Sequence, residues 1–136
     1  MIQQITIDFL RKHAPYDLLN DGELALIAKT ASLDFFPNET RIYTQENSKA
    51  EYLYLIQKGC VRMTAQDANG QDILMDMRGE GESFGILSLL NLGTALMTVT
   101  TLEDTLCYLI PKNTVQTLMQ NQRFGEYFLR GSTQRY

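Results

Sequence analysis

The chain has 136 residues, of which 44% are hydrophobic and 21% charged, so we expect one packed domain rather than a disordered segment. A net charge of −4 provides no basic surface for a phosphate backbone, so nucleic acid is not an expected partner. No apolar run approaches the roughly 20 residues of a membrane-spanning helix, and no secretory signal is recognisable, which favours a cytoplasmic protein without membrane contact.

Two short helices are predicted at the start of the chain. Apolar residues fall near one face of the stretch 2–12, and Pro15 then interrupts this pattern. Asn20 or Asp21 is a suitable cap for a second helix. Residues 1–32 are therefore expected to form a helical lead-in.

Between residues 33 and 111 the pattern changes to short runs rich in Phe, Tyr, Ile, Val and Thr, separated by turn residues about every eight to twelve positions. This spacing is typical of a β-sandwich or barrel. Asn69-Gly70 predicts a tight hairpin, because both residues tolerate positive φ angles. Within this β region the apolar segment 84–90, with Ser83 as its cap, predicts an inserted helix of one or two turns.

Helical patterns return after the strands. Asn113 or Thr114 is expected to cap one helix, and a second begins within residues 124–129. Residues 112–136 are thus predicted to be C-terminal helices, and the whole chain, 1–136, to be a single domain.

Few residues have the pattern of a catalytic or metal site. Cys60 and Cys107 lack partners at metal-ligand spacing and are expected to be buried free thiols. His13, the one histidine, is expected at the surface, and Glu80 and Glu82 in a solvated loop. Because no nucleophile elbow, phosphate-binding Gly-rich loop or Cys-x-x-Cys is present, we expect neither an enzyme nor a metal centre.

Three stretches carry a family resemblance. Residues 52–61 (YLYLIQKGCV), residues 81–85 (GESFG) and the pair Leu89-Leu90, in this order of elements, resemble the cyclic-nucleotide-binding domain family with its catabolite-activator-like β-roll. The resemblance covers roughly residues 9–129. It implies a mainly β fold, namely a double-stranded, jelly-roll-like β-roll with N- and C-terminal helices. It also implies an inserted phosphate-cassette helix beginning at Phe84-Gly85, since backbone N–H groups at a helix N-terminus bind phosphate well.

Two further segments, residues 83–90 and 103–111, resemble a particular subfamily. In that subfamily the domain precedes a CBS pair and a putative nucleotidyltransferase domain in predicted signal-transduction proteins. The resemblance implies that this chain is a non-catalytic regulatory or sensor module of a longer parent protein, which carries those downstream domains.

The resemblance also points to a degenerate ligand pocket. Family members that bind cyclic nucleotides carry a Glu directly after Phe-Gly, which accepts from the ribose 2′-hydroxyl, and an Arg nine positions later, which pairs with the phosphate. Ile86 and Ala95 occupy these positions here, and the closest basic residue upstream is Arg78. Each lost charge-assisted bond is worth roughly 1.5–3 kcal/mol. The expected pocket residues are Phe84, Gly85, Ile86, Leu87, Ser88, Ala95, Leu96, Met97 and Thr98.

Three alternatives remain for this pocket. In the first, the pocket has collapsed into the core, filled by Ile86, Leu87 and Leu96, and the module serves oligomerisation or interdomain contact. In the second, the pocket holds a different, less polar small molecule. In the third, the pocket retains weak binding of a cyclic or atypical nucleotide, and no other cofactor is expected.

Two other features of the family bear on this chain. Its members often have turn glycines near the positions of Glu39 and Glu46, so the loops there are expected to differ. The last helix of the family packs on the roll and continues as a dimer-forming helix. Phe124, Tyr127 and Phe128 are therefore expected either to pack on the roll or to form a homodimer contact.

Overall fold

Helices flank a run of eight strands in the computed structural model, which describes the backbone of residues 2–135 and the side chains of residues 3–90 and 93–130. Residues 1 and 136, the two ends of the predicted single domain, lie outside the described residues. The helical elements are α1 (Ile2–Arg11), a 3₁₀ turn (Tyr16–Leu18), α2 (Asp21–Thr30), a π-helical turn (Ser88–Leu92), α3 (Lys112–Leu118) and α4 (Gln122–Arg135). The strands are β1 (Ser32–Phe36), β2 (Arg41–Tyr43), β3 (Tyr52–Lys58), β4 (Cys60–Gln66), β5 (Asp72–Gly79), β6 (Ser83–Phe84), β7 (Thr98–Thr101) and β8 (Thr105–Pro111).

The described strands form two four-stranded sheets. The first has the order β1-β8-β3-β6, and the second has the order β2-β7-β4-β5. Neighbouring strands are antiparallel in both sheets. The chain crosses between the sheets several times, which is the connectivity of a jelly-roll-like β-roll. The predicted fold class, mainly β with helices at both ends, is confirmed.

Strands β3 and β8 are buried on both faces and separate two hydrophobic cores. On β3, Leu53 and Leu55 pack with the helices, whereas Ile56 packs between the two sheets. On β8, Ile110 belongs to the helix-side core and Leu109 to the core between the sheets. Because successive side chains of a strand point to opposite faces, only a near-continuous apolar sequence satisfies both cores.

Helix α2 begins with a capping box at Asn20, which was one of the two predicted caps. Asn20 Oδ1 accepts a hydrogen bond from Glu23 N at 2.8 Å, and Asn20 N donates to Glu23 Oε1 at 2.9 Å. The helix then buries Leu24 and Ile27 in the helix-side core. The capping box fixes where α2 starts, and the two apolar residues hold it against the first sheet.

The predicted hairpin turn at Asn69-Gly70 is confirmed. Gly70 has a φ of +80°, and its N–H donates to Asp67 O at 3.0 Å. Asp67 N in turn donates to Gln71 O at 2.9 Å and closes the turn between β4 and β5.

The inserted helix begins later than its sequence predicts. Ser83 does not cap it, because Ser83 and Phe84 form β6, where Phe84 pairs with Tyr54 of β3. Gly85 follows with a φ of +94°, a conformation that ends the strand and that favours glycine. Helical geometry starts at Ile86 and continues as the π-helical turn. The inserted helical turn is therefore confirmed, and the cap at Ser83 is wrong.

Helix α3 follows β8 without a side-chain cap. Pro111 occupies the N-cap position in an extended conformation, and it makes no side-chain cap hydrogen bond. The predicted cap by Asn113 or Thr114 is therefore wrong. Thr114 is buried instead, and its hydroxyl donates to Thr30 Oγ1 at 2.8 Å, which joins α3 to α2.

Two glutamates occupy left-handed backbone positions. Glu39 has a φ of +62° and Glu46 a φ of +64°, and both lie near the positions at which the sequence resemblance implies turn glycines. Glu46 N nevertheless donates to Ala95 O at 2.8 Å, so the loop keeps its attachment to the roll. The strain of a side chain in this region is about 1–2 kcal/mol.

We predict that Glu46→Gly leaves the protein at least as stable as the wild type, because relief of the strained φ offsets the roughly 0.4–1 kcal/mol entropy cost of a new glycine. The matched control is Glu51→Gly, which is also exposed but does not have a positive φ. It should lower the free energy of unfolding in urea by about 0.4–1 kcal/mol. An equal loss in both variants would contradict the strain argument.

Candidate ligand pocket

A cavity of about 110 Å³ lies beside the π-helical turn. Residues 81–83 and 85–88 form one wall, and Leu96 with Met97 forms another. The second sheet, helix α4 and the pair Ala14-Pro15 complete the lining. The cavity therefore lies where the roll, the inserted helix and both terminal helical regions meet.

Six of the nine residues predicted for the pocket line this cavity, and three lie elsewhere. Phe84 is fully buried, and its ring stacks on that of Tyr54 with centroids 4.8 Å apart. Ala95 lines a second cavity of about 10 Å³. Thr98 Oγ1 accepts a hydrogen bond from Gln45 N at 3.0 Å. The six that line the larger cavity are Gly85, Ile86, Leu87, Ser88, Leu96 and Met97.

Ile86 and Ala95 stand where the sequence resemblance implies a ribose-binding Glu and a phosphate-binding Arg. We call these two places the anchor positions, and both residues there are buried. Ile86 is 8% exposed and Ala95 is 4% exposed. The backbone of Ala95 is bonded on both sides to the loop after β2: its N–H donates to Ser48 O at 3.0 Å, and its carbonyl accepts from Glu46 N at 2.8 Å. This loop thus holds the segment in which a phosphate-binding arginine would stand.

Ser88 uses both of its oxygens to fold the segment after the π-helical turn. Its Oγ accepts a hydrogen bond from Leu96 N at 2.9 Å, and its carbonyl accepts from Gly93 N at 2.9 Å. Together with Ala95 N, three backbone amides of this segment are engaged within the chain. A phosphate would have to displace these bonds to use the same N–H groups.

Arg78 of β5 supplies the positive charge of the cavity lining, a role that the sequence did not predict. Its Nε and Nη2 donate to Asp76 Oδ2 at 3.1 and 3.0 Å, and its Nη1 donates to the carbonyl oxygen of Ser83. The side chains of Arg78 and Asp76 are only 11% and 23% exposed, so water screens this ion pair less than a surface pair.

A sequence signal for this pair did exist. Asp76 and Arg78 are two positions apart on a strand and so share one face. Their partners on β4 are Met63 and Val61, which are buried in the core between the sheets. An alternating charge pair opposite buried apolar residues indicates an inward-facing ion pair.

Tyr16 connects the start of the inserted segment to the C-terminal helix. Its side chain is fully buried, and its hydroxyl lies 2.7 Å from Ser83 Oγ in a hydrogen bond. Its ring packs edge-on against Phe124, with centroids 5.6 Å apart. Burial raises the pKa of Tyr16 well above its usual value of 10.0.

The three aromatic residues of α4 take different roles. Phe124 is fully buried and Phe128 is 9% exposed, and both belong to the helix-side core. Tyr127 is 44% exposed, and it lines the cavity together with Phe128. The helix therefore packs on its own roll and forms one wall of the cavity.

Two of the candidate loop residues are less exposed than predicted. His13 is half-buried, with its ring 4.5 Å from that of Phe9. The ring lies against Gly81, where a Cβ would come within 2.2 Å of His13 Nδ1. Glu82 is half-buried and accepts a backbone hydrogen bond at 2.9 Å, whereas Glu80 is exposed as expected.

Both cysteines are free thiols. Cys107 is fully buried, and burial raises its pKa to about 12, which suppresses the reactive thiolate. Cys60 is half-buried, so the prediction of a buried thiol is confirmed for Cys107 alone. Among the described side chains, no three His, Cys, Asp or Glu residues are grouped closely enough to hold a metal ion.

Comparison with known families decides the classification. The family model described as "Cyclic nucleotide-binding domain" matches residues 33–122, which is well over half of the chain. The chain belongs to the cyclic nucleotide-binding domain family. Domains of this family are regulatory modules without catalytic activity. A search of curated proteins finds no match.

Solved structures share the fold of this cyclic nucleotide-binding domain. A mutant regulatory subunit of a cAMP-independent protein kinase A from Trypanosoma brucei, with cAMP in its A site, has a TM-score of 0.85 at 22% identity over 96% of this chain and 47% of its own. The Trypanosoma cruzi regulatory subunit bound to guanosine has a TM-score of 0.81 at 18% identity, over 96% of this chain and 50% of its own. The sensor domain of the transcriptional regulator DNR from Pseudomonas aeruginosa has a TM-score of 0.83 at 16% identity, over 98% of this chain and 89% of its own. The chain thus spans about half the length of the kinase subunits.

None of the described helices is long and apolar enough to cross a membrane.

We predict that Tyr16→Phe lowers the free energy of unfolding at pH 7 by about 0.5–1.5 kcal/mol, because the hydrogen bond to Ser83 is lost. The raised pKa of Tyr16 means that the unfolded chain ionises first as the pH rises above 10.0. Wild-type stability should therefore fall above that pH, and the variant should lose less of it.

The control for this experiment is Tyr127→Phe, which removes a hydroxyl from a side chain that is 44% exposed and should leave stability nearly unchanged. Urea unfolding at pH 7 and at pH 11 measures both effects. An unchanged midpoint for Tyr16→Phe at pH 7, or an alkaline loss equal to that of the wild type, would contradict the assignment.

Proposed function

We propose that this domain is the sensor module of a signal-transduction protein and that its pocket is degenerate for cyclic nucleotides. The observation that carries this proposal is the burial of Ile86 and Ala95 at the two anchor positions. Neither side chain accepts from a ribose hydroxyl or pairs with a phosphate. The pocket therefore lacks two interactions that give the family its affinity for cyclic nucleotides.

The size of the cavity supports the same conclusion. Pockets for drug-sized ligands have volumes of roughly 300–1,000 Å³. The cavity beside the π-helical turn has about 110 Å³, and Leu87 and Leu96 are among its lining residues. A complete cyclic nucleotide exceeds this volume, so it either extends out of the cavity or moves the walls apart, and moving the walls costs packing energy.

The cavity also favours a sensor over a purely structural module. Two side chains of α4, Tyr127 and Phe128, line it directly. An occupant would contact these side chains and bias the packing of α4 on the roll. Since a ligand shifts an equilibrium only by its differential affinity for the two states, this direct contact is the route by which binding reaches the helix.

Two structural neighbours hold ligands that differ in whether they contain a phosphate. The Trypanosoma cruzi subunit holds guanosine, which has no phosphate, and the mutant Trypanosoma brucei subunit holds cAMP. Ligands with and without a phosphate are thus bound by proteins of this fold. We propose that any ligand of the present domain belongs to the kind without a phosphate.

A second candidate function is interdomain or homodimer contact through α4. Tyr127 is 44% exposed and Leu129 is 68% exposed on this helix, which leaves apolar surface for a partner. On the sequence resemblance, we propose that the parent protein carries CBS and nucleotidyltransferase domains after this module and acts in the cytoplasm, without nucleic-acid or membrane contact. Light scattering of the purified domain measures its oligomeric state, and a monomer would contradict the homodimer.

We predict that calorimetric titration of the wild type with cyclic AMP and cyclic GMP gives dissociation constants well above the micromolar range. The double variant Ile86→Glu with Ala95→Arg should bind cyclic nucleotides at least tenfold more tightly, since one charge-assisted bond is worth roughly 1.5–3 kcal/mol.

The matched control is Ile86→Glu with Thr94→Arg, which places the same charges but moves the arginine by one position to an exposed residue that lines neither cavity. It should gain little affinity. Circular dichroism establishes that each variant is folded. Micromolar affinity of the wild type, or an equal gain in the control, would overturn the proposal of a degenerate pocket.

A further inference from the structure

We infer that the 110 Å³ cavity binds an uncharged, planar heteroaromatic molecule of nucleobase size, and that the Asp76–Arg78 pair sets this preference for a neutral ligand. The inference rests on the proposed sensor function and names its ligand class. Three properties of the cavity carry it: its volume, its charge balance and the chemistry of its walls.

The volume limits the size of the ligand. A cavity needs roughly 10–15 Å³ to hold one water molecule. On that scale, about 110 Å³ accommodates roughly seven to eleven non-hydrogen atoms. A single purine or a substituted pyridine falls within this range, whereas a molecule with a base, a ribose and a phosphate exceeds it.

The charge balance disfavours an anion. Among the described residues, Arg78 is the positively charged member of the lining and Glu82 the negatively charged one, and Glu82 accepts a hydrogen bond from Gly79 N. Arg78 is also bonded through Nε and Nη2 to Asp76, at 3.1 and 3.0 Å. Since the carboxylate of Asp76 already neutralises the guanidinium, a second anion would compete with it in a poorly solvated site.

Arg78 nevertheless retains donors for a neutral ligand. A guanidinium has five N–H groups, and three of them serve Asp76 and Ser83 O. Two N–H groups remain for the ring nitrogens or carbonyl oxygens of a ligand. The hydroxyl of Ser88 accepts from Leu96 N, so its own proton is available as a further donor.

The walls suit a flat ring. Tyr43, Tyr127 and Phe128 line the cavity with three aromatic rings, and Met63 and Met97 add polarisable sulfur. Aromatic side chains stack on heteroaromatic rings regardless of the identity of the base. The donors of Arg78 at one part of the wall and the rings at another therefore define a planar, hydrogen-bonding, uncharged ligand.

The test compares nicotinamide with nicotinate, which have the same ring and size but differ in charge, and adds adenine as a purine probe. Chemical-shift titration by NMR at millimolar concentrations detects the weak binding expected of such small ligands. The wild type should bind nicotinamide and adenine at least tenfold more tightly than nicotinate. The variant Asp76→Asn should abolish or reverse the preference for nicotinamide over nicotinate, because the charge of Arg78 is then no longer neutralised.

Arg78→Gln should weaken adenine binding at least tenfold. Should that variant fail to fold, Asp76→Asn combined with Arg78→Gln tests the same loss of the guanidinium without leaving an unpaired carboxylate. The matched control is Arg62→Gln, which removes an arginine from the surface pair with Glu39 and should leave all three affinities unchanged.

Equal or tighter binding of nicotinate by the wild type, or no binding of any of the three probes, would overturn the inference. Either result leaves open whether cyclic nucleotides bind. Micromolar cyclic-nucleotide binding, by contrast, would overturn the proposed degenerate pocket itself. The two failures are therefore distinguishable.

Discussion

The antiparallel pairing of β3 with β8 is the constraint on which the remaining structure depends. Both strands are buried on two faces, so one pairing supports the helix-side core and the core between the sheets at once. Strand β6 adds to β3 through Tyr54 and Phe84, and this addition positions the inserted turn. A polar substitution at a buried position of β3 or β8 would therefore disturb both the packing of the terminal helices and the geometry of the cavity.

The chain has the fold of the family, and several polar groups beside its candidate ligand cavity are engaged within the chain. The amides of Ala95 and Leu96 are bonded to Ser48 O and Ser88 Oγ, and Arg78 is bonded to Asp76. These bonds engage donors that could otherwise bind a ligand, which supports the proposal of a degenerate pocket. Helix α4 is connected to the cavity, since Tyr127 and Phe128 of that helix line it.

Much of the fold could be predicted from local patterns. The capping box at Asn20 and the Asn69-Gly70 turn depend on neighbouring residues, and the sequence contains all the information they need. The start of the inserted helix was missed because the pairing of Phe84 with Tyr54, some thirty residues earlier in the chain, outweighs the local capping signal of Ser83. The role of Arg78 was missed for a similar reason, since the burial of an ion pair is visible only once the sheets are assembled.

Amide hydrogen exchange of the ligand-free protein, resolved by NMR, tests most directly whether the segment after the π-helical turn is closed by its own hydrogen bonds. The account predicts that the amides of Ala95 and Leu96 exchange slowly, with protection that is unchanged by millimolar cyclic AMP. Exchange of these two amides as fast as that of an exposed loop residue such as Glu80, or strong new protection on adding cyclic AMP, would contradict it.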